Sequence, residues 1–347
     1  MSIDTAAGLA AQARQQQLTK PPGSLGRLET LAVWLADRLG QPVPPRLKPA
    51  IAVFAADHGV AAEGVSAFPP EVTGQMVANF VAGGAAISVL AAEHGAALTV
   101  VDVGVAHPIP DVPQRRAQLI SRPVRAGTRN LLYEPALRPE ECDAAWQIGA
   151  AVATRLAEDG HTLLIGGEMG IANTTAAAAL VCAYTGAVPE EIVGRGTGVD
   201  EGAYGRKIAV VNAALARVRA GGDPGPRGWL AEVGGLEIAA LAGFYSAAAA
   251  AGVPVLLDGF ISTAAALAAM RSAPQVGRWL LAGHVSAETG HRRALAALGL
   301  VPLLDLELRL GEASGAAVAL PLLQAALALH RGMATFAEAG VAAGAVP

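Results

Sequence analysis

One glycine-rich segment carries side chains that could bind a phosphate group. It runs Gly166-Gly-Glu-Met-Gly-Ile-Ala-Asn-Thr-Thr175 and lies where an apolar, strand-like run passes into a helix-like run. Backbone N–H groups at a helix start, with the side chains of Asn173, Thr174 and Thr175, suit a phosphate monoester. Asn and Thr are also ordinary helix caps, which is the alternative. The flanking glycines and the acid Glu168 favour the anion site.

A second glycine-rich segment, Gly194-Arg-Gly-Thr-Gly198, precedes a helix-like stretch that contains Lys207. Only three of the 25 basic residues are lysines. Because a lysine ammonium is a compact point charge, Lys207 is a candidate ligand for a phosphate oxygen. The alternative is a charge on a solvated helix face.

A third segment, Leu308-Arg-Leu-Gly-Glu-Ala-Ser-Gly315, places a carboxylate where another strand-like region turns into a long apolar helix. At such a position Glu312 could simply stabilise the helix through its dipole. It could also be a general base that faces a crevice, with apolar neighbours such as Leu310 raising its pKa. Composition alone leaves both interpretations open.

The sequence gives no signal for a metal or a redox cofactor. Neither Gly-x-Gly-x-x-Gly nor Gly-Lys-Ser/Thr occurs, so no dinucleotide fingerprint or P-loop is indicated. His58 and His284 follow strand-like runs, but no His-x-x-x-His or His/Cys pair has ligand spacing. Cys142 and Cys182 form no Cys-x-x-Cys motif, and we expect buried free thiols in a reducing cytoplasm.

Six short apolar runs predict the strands that position these segments. Each run is nearly continuous, as expected when helices cover both faces of a parallel sheet. The runs are Ile51–Ala56, Leu98–Val103, Thr162–Ile165, Pro254–Leu257, Arg278–Ala282 and Pro302–Leu306. Ala-rich helical stretches lie between them, for example Val72–His94, Pro139–Asp159, Asn173–Tyr184 and Gly235–Ala251. This alternation predicts an α/β fold with a doubly wound, mostly parallel sheet of about six strands.

Acids, histidines or glycines follow all six runs. They are Asp57-His58-Gly59, Asp102-Val103-Gly104, Gly166-Gly167-Glu168, Asp258-Gly259, Gly283-His284 and, beyond Leu308, Gly311-Glu312. Any one of them could merely end a strand. Because ligands of open parallel sheets bind beyond the carboxyl ends of the strands, six such ends in one chain favour a crevice there.

Length and charge set the domain plan and limit the classes of partner. The 347 residues predict a large α/β catalytic domain over 46–330, with a small helical subdomain built from 1–45 and 331–347. A net charge of −4 without a basic excess argues against nucleic-acid binding.

The charge-free stretch between Glu237 and Asp258 is interrupted by Pro254, which favours a buried helix and strand over a membrane span. Met1–Gln17 lacks a secretory pattern, so we expect a cytoplasmic location.

Several of these segments, taken in order, resemble one enzyme family from about residue 18 onward. The segments are Thr19-Lys-Pro-Pro-Gly-Ser-Leu-Gly26, Ala55-Ala-Asp-His-Gly-Val60, Gly64-Val-Ser-Ala-Phe-Pro-Pro-Glu-Val-Thr73, Gly167 to Thr175, and Arg309-Leu-Gly-Glu-Ala-Ser-Gly-Ala316. Together they are similar to nicotinate-nucleotide–dimethylbenzimidazole phosphoribosyltransferase, an enzyme of cobalamin lower-ligand synthesis. Ordered motifs of this kind are far more specific than any one of them.

The resemblance implies a fold, an assembly and roles for individual residues. It implies a Rossmann-like domain, a small helical domain from both chain ends, and a homodimer whose sites are partly completed by the neighbouring subunit. Glu312 matches the catalytic base, and Glu168 is a second catalytic candidate. The positions that fall on the nucleotide site are Gly167, Glu168, Gly170, Asn173, Thr174, Thr175 and Lys207. The positions on or beside the pocket for the aromatic base are Phe68, Gln75, Met76, Met169 and Leu310.

The resemblance also implies transfer of a phosphoribosyl group from nicotinate mononucleotide to dimethylbenzimidazole, without a metal or cofactor. Two departures from the family pattern are Ala172 and Ala313, which stand where we expect glycine, and the stretch Gly283-His-Val-Ser286 is less familiar. These departures bear on the choice of acceptor base. The alternatives are a sister transferase that uses adenine or a phenol, and a non-catalytic nucleotide-binding protein on the same scaffold.

Overall fold

Six parallel strands form the central sheet of the protein. The structure is a computed structural model that describes residues 5–196 and 198–342. The strands are β1 (Pro49–Ala56), β2 (Ala97–Gly104), β3 (Gln118–Ser121), β4 (Leu163–Met169), β5 (Val255–Leu257) and β6 (Leu280–Ala282). Their order is β3-β2-β1-β4-β5-β6, and each neighbouring pair is parallel. The predicted α/β, doubly wound, mostly parallel sheet is confirmed.

Strand β1 shows why the sheet is buried on both faces. All eight of its residues are buried. Alternate side chains point to opposite faces of a strand. Accordingly, Ala52 and Phe54 pack in one hydrophobic core, whereas Ile51 and Val53 pack in a second core on the other face. Helices cover both faces, as the continuous apolar runs predict.

Two predictions about strands were wrong. Gln118–Ser121 was not predicted, because this short strand at the edge of the sheet is only partly buried and lacks a long apolar run. Pro302–Leu306 does not join the main sheet. Two of its residues form β8 (Leu304–Asp305), which pairs only with the two-residue strand β7 (His284–Val285).

Fourteen α-helices are present in the described part of the chain. They are α1 (Ala6–Gln17), α2 (Arg27–Leu39), α3 (Val72–Ala82), α4 (Ala86–His94), α5 (Pro139–Glu158), α6 (Asn173–Thr185), α7 (Pro189–Ile192), α8 (Glu201–Ala220), α9 (Gly225–Val233), α10 (Leu236–Ala250), α11 (Phe260–Ser272), α12 (His291–Leu298), α13 (Ser314–Gly332) and α14 (Phe336–Ala339). The bounds of α5, α6 and α10 lie within one residue of the predicted ones.

The single helix predicted over Val72–His94 is two helices. Gly83 ends α3 in the left-handed conformation, and α4 begins at Ala86. By length and hydropathy alone, Val72–His94 is the one helical segment of the described residues that could cross a membrane. Its two parts have 11 and 9 residues, and a membrane-spanning helix needs about 20.

The two ends of the chain meet. Leu18 forms a β-bridge with Thr335, and the Arg14 side chain donates to the carbonyl of His330 at 2.9 Å. These contacts accord with a subdomain built from 1–45 and 331–347, although residues 1–4 and 343–347 lie outside the described residues. The division into two domains stays a prediction.

Candidate active site

A cavity of about 400 Å³ opens beyond the carboxyl ends of β4 and β5 and beside β7. It is lined by Phe68, Val72, Met76, Glu168, Met169, Gly170, Ile171, Asn173, Thr174, Gly196, Gly259, Phe260, Ile261, His284, Ser286, Glu288, Arg309, Leu310, Gly311 and Glu312. Segments far apart in sequence therefore meet at the edge of the sheet where ligands of such folds bind.

The start of α6 forms one wall of the cavity. Strand β4 ends at Met169, and Ala172 adopts a left-handed conformation with φ 74° before the helix begins at Asn173. The Asn173 amide donates to the Glu168 carboxylate. The backbone N–H groups of Asn173 and Thr175 donate to the carbonyls of Gly170 and Ala172 at 3.1 and 3.0 Å, and Asn173 and Thr174 are the polar residues of α6 that line the cavity.

Lys207 lies behind this wall rather than in it. Its side chain is fully buried, and Nζ donates to the Thr174 hydroxyl at 2.7 Å and to the Gly194 carbonyl at 3.1 Å. Burial lowers the pKa of Lys207 to about 8, and the nearby Glu288 carboxylate opposes the decrease. The ammonium therefore reaches the cavity through Thr174, which does line it.

Glu312 lies in an unusual turn that also lines the cavity. Gly311, Glu312 and Ala313 have φ of 84°, 65° and 79°, so three consecutive residues are left-handed just before α13. Non-glycine residues pay about 1–2 kcal/mol for this conformation. The turn lies directly on β4, because a Cβ atom on Gly167 would come within 2.6 Å of the Glu312 carbonyl carbon.

The Glu312 carboxyl group is held away from bulk water. The residue is 5% exposed, and among the described residues its buried Oε2 has no hydrogen-bond partner. Burial raises the pKa of Glu312 to about 7, the charge of Asp258 adds to the rise, and the backbone N–H of Ile87 opposes it. A carboxyl group with this pKa can accept a proton efficiently near neutral pH.

Glu168 faces Glu312 across the turn. A Cβ on Gly311 would lie 2.6 Å from the Glu168 Oε1. Burial raises the pKa of Glu168 to about 8, even though the hydrogen bond from Asn173 lowers it. The carboxylates of Glu237, Asp258 and Glu312 raise it further. The inner end of the cavity is therefore acidic and suits a bound cation.

An apolar wall completes the cavity. Met76 and Met169 are partly buried, whereas Phe68 and Leu310 are 52% and 58% exposed at its mouth. The side chains of Phe260 and Ile261 also line it. A flat aromatic molecule fits such a wall because it exchanges water contacts for apolar ones.

A buried acid–histidine pair, His58 and Glu237, lies next to the site. His58 Nε2 and Glu237 Oε1 are 2.6 Å apart, both fully buried, and a Cβ on Gly170 would approach each of them. Burial opposes ionisation of His58, but the Glu237 carboxylate overcomes this and raises the His58 pKa.

His284, the other histidine at a strand end, lines the cavity, with Nε2 3.4 Å from Asp258 Oδ1. Within the described ranges no group of three or more His, Cys, Asp or Glu residues is placed to hold a metal ion.

Most of the residues predicted for the site line the cavity. The structure brings together Phe68, Met76, Glu168, Met169, Gly170, Asn173, Thr174, Leu310 and Glu312. Gly167 supports the Glu312 turn, Thr175 is buried in α6, Lys207 lies behind Thr174, and Gln75 is exposed on α3. Among the lining residues that were not predicted for the site, those with polar side chains are His284, Ser286, Glu288 and Arg309.

Comparisons with known proteins agree with this geometry. The family model described as Phosphoribosyltransferase matches residues 1–341. A protein of Chromobacterium violaceum named nicotinate-nucleotide–dimethylbenzimidazole phosphoribosyltransferase is 56% identical over 339 residues, which cover 98% of this chain and 97% of that protein. A protein of the same name from Ectopseudomonas mendocina is 54% identical over 340 residues, covering 98% of this chain and 95% of that protein.

A solved structure gives the same result in three dimensions. The crystal structure of CobT from Thermus thermophilus matches with a TM-score of 0.92 and 51% sequence identity, covering 98% of this chain and all of that one. The resemblance in the ordered motifs is therefore confirmed over nearly the whole sequence. The chain belongs to the nicotinate-nucleotide–dimethylbenzimidazole phosphoribosyltransferase family.

Proposed function

We propose that this protein transfers the phosphoribosyl group of nicotinate mononucleotide to 5,6-dimethylbenzimidazole. The products are α-ribazole phosphate and nicotinate, and the reaction serves assembly of the cobalamin nucleotide loop. The relatives with this name support the proposal. The observation that carries it is one cavity that combines a buried carboxyl group at Glu312, whose Oε2 has no partner among the described residues, with a helix start at Asn173 and an apolar wall.

The chemistry of the donor explains why acid–base groups suffice. In nicotinate mononucleotide the C1′–N bond joins ribose to a positively charged pyridinium ring. When this bond breaks, its electron pair returns to the ring nitrogen, and nicotinate leaves without needing a proton. The remaining tasks are to align the acceptor with C1′ and to remove the acceptor's N–H proton.

We assign the proton transfer to Glu312. One ring nitrogen of the acceptor attacks C1′ from the face opposite the pyridinium, which inverts the configuration from β to α. The Glu312 carboxylate accepts the proton of the other ring nitrogen. General-base catalysis of this kind contributes about 10² to 10⁴ in rate, and orientation of the two substrates contributes up to about 7–11 kcal/mol.

We assign charge stabilisation to Glu168. With a pKa of about 8, it is largely protonated at neutral pH in the unliganded protein. A pyridinium cation bound beside it would lower that pKa, because an opposite charge favours the ionised form. Glu168 would then carry a negative charge when C1′ develops positive charge, and it could also bind the ribose hydroxyls.

The phosphate contacts lie away from the reacting carbon. At the positive end of the α6 dipole, the Thr174 hydroxyl and, through it, the Lys207 ammonium would hold the phosphate. Binding energy from this remote group fixes the position of C1′. The aromatic acceptor would pack against Phe68, Met76 and Leu310.

Product analysis tests the proposal directly. The protein is incubated with nicotinate mononucleotide and a panel of dimethylbenzimidazole, adenine and phenol, and the products are identified by mass spectrometry. We expect nicotinate and α-ribazole phosphate with dimethylbenzimidazole. Faster turnover with adenine or phenol would assign a sister transferase. Binding of the nucleotide by calorimetry without any product would leave a nucleotide-binding protein.

We also propose a homodimer in the cytoplasm. The homodimer follows from the family resemblance, and the half-exposed Phe68 and Leu310 support it, because a second subunit could cover these apolar side chains. The two cysteines are free and buried, as suits a reducing compartment. Light scattering coupled to size exclusion tests the assembly: a mass of one chain would contradict it.

A further inference from the structure

We infer that Asp258 is a positioning residue whose carboxylate holds the Glu312 turn in its reactive position. The inference rests on the proposed function, in which Glu312 is the base. Asp258 directly follows β5 and is 1% exposed. Its Oδ2 accepts from the backbone N–H of Ala313 at 3.1 Å, and its Oδ1 accepts from that of Ala316 at 2.9 Å. One side chain thereby bonds two backbone N–H groups just after the base.

The turn needs such a tether because its conformation is unfavourable by itself. Glu312 and Ala313 are left-handed although neither is glycine. Such residues persist only where their surroundings impose the conformation. Ala313 is also the cap residue of α13, and its methyl side chain cannot accept from the first N–H groups of that helix. Asp258, directly after β5, supplies the missing acceptor for these N–H groups.

Close packing fixes the remaining directions. A Cβ on Gly167 would lie 2.6 Å from the Glu312 carbonyl carbon, and a Cβ on Gly283 would lie 2.9 Å from the Ala316 Cα. The turn therefore rests on β4, and the first turn of α13 that follows it rests on the chain after β6. These backbone contacts stop the turn from moving inward, and the hydrogen bonds to Asp258 stop it from lifting outward.

Asp258 also acts on the proton affinity of the base. After burial, its charge is the next contributor to the raised pKa of Glu312. The other groups around Glu312 are the Glu168 carboxyl on β4 and the backbone N–H of Ile87 at the start of α4, and His284 on β7 lies beside Asp258. Loss of the charge at 258 should lower the pKa of Glu312, whereas loss of its hydrogen bonds should displace the group.

Two variants separate these effects. Asp258→Asn keeps the shape and one acceptor oxygen but points an NH₂ group at a backbone N–H, whereas Asp258→Ala removes both acceptors. We expect the plateau kcat to fall by about 10²-fold in Asp258→Asn and further in Asp258→Ala, with KM for the nucleotide little changed. The acid limb of the pH–rate profile should move to lower pH by the same amount in both.

Asp102→Asn is the matched control. Asp102 is a buried acid at the end of β2 that also accepts from two backbone N–H groups, those of Gly104 and Val105, at 3.0 and 2.9 Å. It does not line the cavity. We expect a loss of thermal stability in this variant with an unchanged kcat and an unchanged acid limb.

Hydrogen exchange gives a readout that does not depend on the reaction. A peptide that spans 308–317 should exchange faster in Asp258→Asn than in the wild type or in Asp102→Asn. If the wild type forms no product, the proposed function fails, and the exchange result still decides whether Asp258 holds the turn. Unchanged exchange, or a wild-type kcat and acid limb in a folded Asp258→Asn protein, would overturn the inference. Should Asp258→Ala fail to fold, Asp258→Asn alone carries the test.

Discussion

Glu312 combines three properties that seldom coincide in one acidic residue. It is left-handed, nearly buried, and has an oxygen without a partner among the described residues. Each property costs stability, since a strained backbone and an unsatisfied polar atom are both unfavourable. A residue that merely capped α13 would show the opposite pattern, with its oxygens bonded to the helix N–H groups. In this protein Asp258 makes those bonds.

We therefore predict that Glu312→Gln keeps the fold but loses turnover by about 10²- to 10⁴-fold. Glutamine has nearly the same shape and cannot accept the proton. Steady-state rates, with circular dichroism as the check on folding, give the measurement. Glu307→Gln is the control, because Glu307 is an exposed acid in the same segment. Wild-type rates in Glu312→Gln would remove Glu312 from the role of base.

The pH dependence should follow the same group. Because the pKa of Glu312 is raised to about 7, the carboxyl group is protonated below that pH and cannot act as a base. We expect kcat/KM to decrease as pH falls below about 7 and to reach a plateau above it. A profile that stays flat down to pH 5 would assign the proton transfer to another group.

Lys207→Ala should act on the nucleotide. Removing the ammonium leaves the Thr174 hydroxyl without its donor and lowers the positive charge behind the helix start. We predict a higher KM for nicotinate mononucleotide and a smaller change in kcat, measured with the acceptor saturating. Arg206→Ala removes an exposed charge next in sequence and serves as the control. A change confined to the acceptor's KM would contradict the phosphate assignment.

At the scale of elements, the two helices that border the site begin in the same way. Ala172 precedes α6 with φ 74°, and Ala313 precedes α13 with φ 79°. The family pattern led us to expect glycine at both positions, and the structure supplies the reason. Both cap residues adopt the left-handed conformation, which only glycine adopts without a penalty.

Replacing these alanines by glycine should change stability little. We predict that Ala172→Gly and Ala313→Gly each change the free energy of unfolding by less than about 1 kcal/mol, because relief of the left-handed strain, about 1–2 kcal/mol, offsets the lost burial of a methyl group and the added freedom of the unfolded chain. Denaturant titration measures the change. Ala178→Gly in the right-handed interior of α6 is the control and should lose about 2 kcal/mol, because this residue is also buried but has no strain to relieve. A loss in Ala172→Gly like that of the control would show that strain at the cap is not significant.

The sequence predicted elements well where one local signal dominates. The long helices α5, α6 and α10 lie within a residue of their expected bounds, since their apolar patterns are unbroken. Pairing between distant segments has no such signal. The edge strand β3 and the two-residue strand β8 are defined by neighbours in space, and the sequence cannot indicate these.

The same distinction applies to the site. Glu168, Asn173 and Glu312 were predicted for the site because local motifs identify them, and they line the cavity. His284 lines the cavity because β7 brings it there, whereas Arg309 begins an ordered motif and was still not assigned to the site. His284 carried a usable signal, namely its place directly after a strand. Gln75 was the opposite case: the resemblance placed it on or beside the pocket for the aromatic base, but it is exposed on α3 and does not line the cavity.

At the scale of the whole molecule, the site is a source of instability. The folded-state pKa of Glu168, about 8, lies above its ordinary value of 4.5. For a group shifted in this direction, the contribution to stability is fully present below about pH 4.5 and is lost as pH rises through 8. The folded protein must then accommodate a buried carboxylate charge.

Glu168→Gln should therefore stabilise the protein at high pH. Glutamine stays neutral, and its carbonyl can still accept from Asn173. We predict that thermal unfolding shows a higher Tm than the wild type at pH 9, by a few degrees, and little difference at pH 5. Glu141→Gln is the control and should lower the Tm at both pH values. The hydrogen bond from Arg129 lowers the Glu141 pKa to about 2, so this carboxylate is ionised at pH 5 and at pH 9. A Tm difference that does not depend on pH would rule out the buried charge as the cause.

The absence of a side chain at Gly167 on β4 determines which substitutions this position can accept. The segment that carries Glu312 rests on this residue with no room for even one carbon atom between them. The turn that carries the base therefore packs directly on an inner strand of the sheet. Its position depends on the position of that strand. In Gly167→Ala the added methyl group would push the Glu312 backbone away from β4 and displace its carboxylate, although the carboxylate itself would be unchanged. Position 167 should be as intolerant of replacement as 312 itself.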